Sequence, residues 1–383
     1  MKISFSQIYP VSSIYIAAGG ALGGCIVALA APMLFNDFHE YPLGNVAIII
    51  VLLVCGRIAE ITRLIQHQSK KRIMVISLAA VVGFACVMAS VSSVSIYLKN
   101  RSGSSLATAR NFYGVIKVNK YDTDQPIKTR ISMSHGTTIH GFQFTDENKA
   151  RTPTSYYVYE SGVGKSILNH PKRQADVPMK IGVIGLGVGT LAAYARPHDE
   201  MVFYDINPLV IRLCDEYFSF CKSARADGAR ITIHLGDARL LLEQELGKTG
   251  SNLFDVLVVD AFSSDSIPVH LLTRECFDLY WRHLTPGGVL AVHVSNRHVN
   301  LKPVVYQHAN RHQVPALFIK RPNDPSAPPD AAETPNEWVV MTTDSGLKQQ
   351  LLNINGIMEL DGQSQGNMPE WSDDYSSIWE LLR

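Results

Sequence analysis

Cysteine is scarce in this chain, six in 383 residues, and no two are spaced as Cys-x-x-Cys. Cys25, Cys55 and Cys86 fall in apolar runs, while Cys214, Cys221 and Cys276 are scattered through the polar remainder. The histidines show no ligand spacing either. A structural zinc site and a disulfide framework are therefore not expected, and no metal is assigned. Net charge is nearly absent: 35 Lys and Arg against 34 Asp and Glu leave +1. That excludes the basic footprint of a nucleic-acid binder, so no nucleic-acid partner is expected. No internal repeat or heptad array is visible. The most consequential absence is local, because no charged residue occurs between Lys2 and Asp37.

What is present is concentrated at Lys180 to Leu191, KIGVIGLGVGTL. A short apolar run ends in the turn Gly185-Leu186-Gly187-Val188-Gly189, and a helix-forming stretch follows it. About twenty residues after Gly185, the run Met201-Val202-Phe203-Tyr204 ends in Asp205. Strand, glycine turn, helix, strand and acid is the order a nucleoside-binding α/β unit requires. Gly185, Gly187 and Gly189 would let the backbone approach the ligand, and Asp205 would accept the ribose hydroxyls. Two further strand-like runs end in acids: Ile231 to Leu235 before Gly236-Asp237-Ala238, and Phe254 to Val259 before Asp260. Ligands of open α/β sheets bind at the carboxyl ends of the strands, so Asp205, Asp237 and Asp260 are expected to face one crevice. A dinucleotide would need room for a pyrophosphate and no acid after every strand. A sulfonium nucleoside fits better, with one acid for ribose, one for the adenine amino group and one facing the cationic end. The alternative for each acid is a helix N-cap.

The segments VIGLGVGTLA, FYDINP, LGDARLLL, VVDAFSSDSIPVHLLT and LTPGGVLAVHVSN resemble the spermidine synthase-like (polyamine aminopropyltransferase) family, more narrowly its membrane-fused bacterial branch. The resemblance runs from Arg110 to Thr343 and includes SMSHGTTIHGFQF and TPTSYYVYESGVG upstream. It implies a Rossmann-like domain preceded by a small β-domain. It also implies ribose at Asp205, adenine at Asp237 and Ala238, and Asp260 near the reacting amine. Phe262 to Leu272 would gate the pocket. No separate cofactor is implied; S-adenosylmethionine or its decarboxylated form would be the substrate.

Departures from the family pattern bear on the chemistry. Val188 stands where the family's glycine turn keeps an Asp that anchors the donor amine. Ser134-His135-Gly136 replaces Leu-Asp-Gly, and Asp-x-x-Asp-Pro becomes a longer segment from Asp260 through Asp265 to Pro268. A polyamine carries two or more positive charges and needs paired carboxylates to offset their desolvation. This pocket has lost acids and gained His135 and His140. Intact S-adenosylmethionine carries its own nucleophile, because its carboxylate can attack the γ-carbon and expel methylthioadenosine. Asp260 would then hold the α-amino group, with His135, His140 or a tyrosine of Tyr156-Tyr157-Val158-Tyr159, Tyr157 foremost, bordering the carboxylate. This lyase reading is preferred to aminopropyl transfer. A methyltransferase and a non-catalytic nucleoside sensor are the remaining alternatives.

The first hundred residues read as a membrane domain. Ile14 to Phe35 is long enough to cross a bilayer, Tyr41 to Gly56 extends through Arg57-Ile58-Ala59, and Ile73 to Leu98 is bounded by basic clusters. Gly19-Gly20 and Gly23-Gly24 suit close helix packing in lipid. The first run is longer than a signal-peptide core and has no basic lead beyond Lys2. The expectation is a multi-pass protein of a bacterial inner membrane, with the bilayer as partner and homo-oligomerisation open. Its topology is in conflict. The loop with Arg57, Arg63, Lys70, Lys71 and Arg72 belongs in the cytoplasm by charge bias. Three spans would then put the enzyme domain outside, away from S-adenosylmethionine. Either the amino terminus lies outside, or one segment is re-entrant, or the spans number other than three. Ligand supply decides for a cytoplasmic enzyme domain.

The expected organisation is a transmembrane domain over 1–101, a polar linker at Asn100 to Thr108, a small β-domain over 109–165 and a Rossmann-like domain over 166–383. Tyr113 to Lys120, Thr129 to Met133 and Phe142 to Phe144 read as strands, and Glu337 to Met341 as a late strand of the main sheet. Pro322 to Pro335 reads as a mobile loop, and the acidic tail Glu370 to Tyr375 as solvated.

Overall fold

The computed structural model describes residues 5–51, 83, 87–89, 91–92, 104–121, 125–136, 138–261, 268–322, 332–362 and 370–382. The chain separates into two compact units, Met1–Val115 and Ile116–Arg383.

In the first unit a helix, Phe5–Cys25, runs through a π-helical turn, Ile26–Ala30, into a last helical turn, Ala31–Leu34. Its segment Ser13–Leu34 spans 22 residues at mean hydropathy 2.0, long and apolar enough to cross a membrane. Ile16, Leu22, Leu29 and Met33 on it are exposed. A shorter apolar helix, Glu40–Val51, follows. The second expected run, Tyr41 to Gly56, is described only as far as Val51, and Ile73 to Leu98 lies almost wholly outside the described residues. Strand β1 (Ser104–Asn111) starts inside the expected polar linker. Ser and Thr suggest a linker by composition, yet they are well tolerated on an exposed strand, and β1 is exposed over its first three residues.

The second unit begins within β2 (Gly114–Tyr121), at Ile116, and continues with β3 (Arg130–His135) and β4 (Thr138–Phe144), paired antiparallel in that order. Ile116, Val118 and Met133 seal one face of this sheet completely. β4 starts earlier than expected, which puts His140 on a strand. An eight-stranded sheet follows, in the order β12-β10-β11-β9-β8-β5-β6-β7. Its parallel part is β5 (Lys180–Ile184), β6 (Glu200–Asp205), β7 (Arg230–Leu235), β8 (Phe254–Val259) and β9 (Leu284–His293). The antiparallel strands β10 (Ala316–Arg321), β11 (Asn336–Thr342) and β12 (Ile357–Glu359) complete one edge, with β11 inserted next to β9. This is the expected Rossmann-like α/β fold, and the expected late strand is β11.

Every residue of β8 is buried, as a central strand covered by helices on both faces must be. The helix Arg274–His283 turns Cys276, Phe277 and Tyr280 into the same core as Leu242, Phe254 and Trp371. From β5 the chain winds one way to β6 and β7 and the other way to β8 and β9. Open α/β sheets bind ligands at such a switch point, which here lies at the carboxyl ends of β5 and β8.

Candidate active site

Strand register decides what meets at that switch point. Ile184 of β5 pairs with Val259 of β8, and Val259 with Val292 of β9. The next residue along each strand is therefore Gly185, Asp260 and His293, and His293 pairs onward with Trp338 of β11. Asp260 N–H donates to Ile184 O at 2.9 Å, which brings its carbonyl over Gly185. A Cβ on Gly185 would sit 2.2 Å from that oxygen, and its φ is +99°, so no side chain fits. Gly187 and Gly189 also have positive φ, and a Cβ on Gly187 would reach to 2.7 Å from His140 O. After the turn comes a five-residue 3-10 segment, Thr190–Tyr194, rather than the expected helix. Gly189 enters it in the left-handed region with no side-chain cap, and Arg196 precedes Pro197, which disfavours helical backbone there.

Of the three acids, Asp205 ties the end of β6 to the glycine turn. It accepts from Leu186 N at 3.0 Å and Asn207 N at 2.8 Å. Burial pushes its carboxyl above the usual range, and the two N–H donors oppose that. Asp237 caps the helix Ala238–Lys248 through Leu240 N at 3.1 Å, and its other oxygen meets His270 Nε2 at 2.9 Å. The helix-cap alternative thus holds for Asp237 as geometry. Ala238 beside it is buried.

Asp260 is the hub. Its side chain is only 2% exposed and both oxygens are engaged. Tyr157 donates its hydroxyl to Oδ2, and His293 Nδ1 lies 2.7 Å from Oδ1. The imidazole of His293 is held between Tyr156, 4.5 Å away, and Trp338, 4.7 Å away, both stacked on it. Trp338 Nε1 donates to Tyr156 O at 3.2 Å, and Tyr194 donates its hydroxyl to Tyr157 O. Burial, then the Asp260 charge, raises the Tyr156 and Tyr157 hydroxyls well above their ordinary range, so both keep their protons.

His140 faces the same hub. Burial and then His135 lower its pKa to about 4, against the pull of Asp260, so its ring is neutral near pH 7. His140 Nε2 is buried with no hydrogen-bond partner among the described residues. His135 is buried too, and the two rings are 5.8 Å apart. Val188 is completely buried, with its Cγ2 only 2.7 Å from where a Cβ of Gly141 would stand. An apolar contact between the glycine turn and β4 thus occupies the position where the resemblance implies an acid.

His293 is a residue the sequence reading passed over. The available signal was its place at the end of an apolar run, LTPGGVLAVHVSN, the same signal that marked the acids. The gate segment is described only from Pro268, so Phe262 and Asp265 lie outside the described residues, as does 323–331 of the proline-rich loop. The acidic tail departs from expectation. Trp371 is fully buried, Arg274 N donates to Trp371 O at 2.9 Å, and Asp373 accepts from Arg239 at 2.6 and 2.7 Å. The Arg239 guanidinium holds the Asp373 carboxyl down at about 2. One large aromatic in an acidic stretch is enough to dock it, because burying an indole outweighs the solvation of its neighbours.

Residues 160–322 match the spermine/spermidine synthase domain family. The chain is 32% identical over 138 residues to the polyamine aminopropyltransferase of Vibrio vulnificus (strain CMCP6), covering 35% of this chain and 42% of the relative. It is 29% identical over 122 residues to polyamine aminopropyltransferase 2 of Pseudomonas aeruginosa, covering 30% and 34%. The match to the human eEF1A lysine and N-terminal methyltransferase is 24% over 168 residues, covering 41% and 23%. The chain thus spans less than half the length of the curated relatives it matches. Among solved structures, a probable spermidine synthase from Corynebacterium glutamicum superposes at TM-score 0.49 with 17% identity, covering 71% of this chain and 98% of that one.

Proposed function

From the premise that the chain belongs to the spermidine synthase-like family, an enzyme family, we propose that it cleaves the carbon–sulfur bond of S-adenosylmethionine without a second substrate. The observation that carries this reading is the composition around Asp260. Val188 is buried and His140 is neutral, and Asp260 is the one acid of the hub among the described residues.

In this reading ribose is held at Asp205, adenine lies beside Ala238 and Asp237, and the sulfonium chain points at Asp260. Asp260 holds the α-ammonium. Each carboxylate oxygen has a second lone pair, so Tyr157 and His293 do not exhaust it. With its proton on Nε2, His140 donates to the substrate carboxylate without adding a charge. A carboxylate oxygen attacks the γ-carbon in line with the carbon–sulfur bond, and the bonding pair leaves with sulfur. The products are neutral methylthioadenosine and homoserine lactone, which keeps its ammonium. No proton moves, so the protein has only to position the chain and exclude water. The closed Asp260 hub supports both roles.

Aminopropyl transfer from decarboxylated S-adenosylmethionine to a polyamine is the second reading. The similarity to polyamine aminopropyltransferases favours it. A non-catalytic sensor of S-adenosylmethionine or methylthioadenosine is the third. In each reading Ser13–Leu34 serves as a membrane anchor, within a multi-pass domain that leaves the enzyme unit in the cytoplasm. Purified full-length protein incubated with S-adenosylmethionine alone is expected to release methylthioadenosine at a rate putrescine and spermidine do not raise. Product that forms only from decarboxylated donor plus polyamine would replace the lyase by the transferase, and binding without turnover of either donor would leave the sensor.

A further inference from the structure

Arg110 and Glu40 are 70 residues apart in the chain, yet they pair face to face. Nη1 and Nη2 of Arg110 donate to the two carboxylate oxygens at 2.9 and 2.8 Å, and Nη1 also donates to Asp37 O at 3.1 Å. The guanidinium lies over the Phe38 ring, 5.0 Å from its centroid. The two charged side chains are only 6% and 10% exposed. A bidentate pair shielded this well is a fixed clasp between β1 and the start of the helix Glu40–Val51, unlike a loose surface ion pair.

We infer that the amino and carboxyl ends of the chain lie on opposite faces of the membrane. This rests on reading Ser13–Leu34 as a span. That helix carries the chain across once, because Asp37 and Glu40 follow directly after Leu34. A guanidinium and a carboxylate cannot pair through about 30 Å of hydrocarbon, so Arg110 is on the face that Glu40 reached. Whatever path the chain takes from Glu40 to Arg110, it crosses an even number of times. Beyond Ser104 no described helix is long and apolar enough to cross. One crossing plus an even number separates the two ends.

The clasp also chooses among the alternatives that charge counting left open. The apolar runs Tyr41 to Gly56 and Ile73 to Leu98 either both cross or both stay on one side, and a single re-entrant segment is ruled out. With the enzyme unit in the cytoplasm, Met1 lies outside and the segment with Asp37 and Glu40 lies inside. Acidic residues contribute little to orientation, so that segment offers no resistance to a cytoplasmic position.

The test uses the full chain in bacterial cells, with an epitope tag before Met1 and a second tag after Arg383. Protease added to spheroplasts is expected to remove one tag and spare the other. Loss of both, or protection of both with lysed cells as control, overturns the inference. Recovery of the protein in the soluble fraction after a carbonate wash would instead reject the span itself, and the inference with it. The clasp is tested separately. Glu40→Arg and Arg110→Glu should each cut the yield of folded protein several-fold, and the double swap should restore most of it. Single variants as stable as the parent, with no rescue, would remove the contact and the parity derived from it.

Discussion

Asp260→Asn removes one charge from the hub while keeping its shape. In the native site Tyr157 and His293 each occupy one oxygen of a side chain that is 2% exposed. Asparagine offers one acceptor and one amino group, so one of the two partners must adapt. Tyr157 can turn its hydroxyl to accept, or His293 can carry its proton on the other nitrogen. Each charge-assisted bond becomes a neutral one, a loss of about 1 kcal/mol apiece. The fold should survive, with Tm lower by a few degrees. Activity should suffer more. The bond between the substrate ammonium and a buried carboxylate is worth about 1.5–3 kcal/mol, which is roughly ten- to 150-fold in rate. Loss of the in-line pose adds to that. The assay is methylthioadenosine release from S-adenosylmethionine alone, followed by chromatography below and above KM. We expect kcat/KM to fall at least tenfold. A folded variant within threefold of the parent would remove Asp260 from the reacting centre.

Gly185→Ala should abolish nucleoside binding in calorimetry, because its Cβ would sit 2.2 Å from Asp260 O at a φ of +99°; binding within threefold of the parent would mean that the turn is not so tightly seated. Trp371→Ala should cost about 3–5 kcal/mol in denaturant unfolding, since the indole is fully buried, whereas a solvated tail would cost under about 0.5. His140 titrates at about 4 when folded and at its ordinary 6.5 when unfolded. The unfolded chain therefore binds the extra proton between those values, and stability should fall as pH drops from 6.5 to 4, by about 3 kcal/mol for this group. His140→Gln should flatten that part of the stability profile, and an unchanged profile would mean that the ring is not buried neutral. Val188→Asp is expected to unfold the glycine turn rather than retune specificity, because it places an unpaired carboxylate in a completely buried site. Recovery of a soluble, thermally stable V188D protein would contradict that packing.

Sequence alone carried the glycine turn and the acids at the strand tips, because their signals are local. An apolar run of strand length, glycines at tight spacing and an acid at each strand tip can be read within one stretch of chain, and strand direction then sends Asp205, Asp237 and Asp260 to one edge of the sheet. The first apolar helix was equally plain, since length and hydropathy decide it. What needed the tertiary structure is everything set by register between distant segments. His293 reaches Asp260 because β8 and β9 pair Val259 with Val292, and nothing within either strand announces that alignment. The stack of Tyr156, His293 and Trp338 draws on three separate parts of the chain. The burial of Val188 depends on β4 crossing the glycine turn, which turns an apparent loss of an acid into a packing contact. The tail misled because its charges dominate its composition, while one buried indole decides its place. The Arg110–Glu40 clasp is likewise invisible to hydropathy, which measures how apolar a run is and carries no information about which distant residues meet.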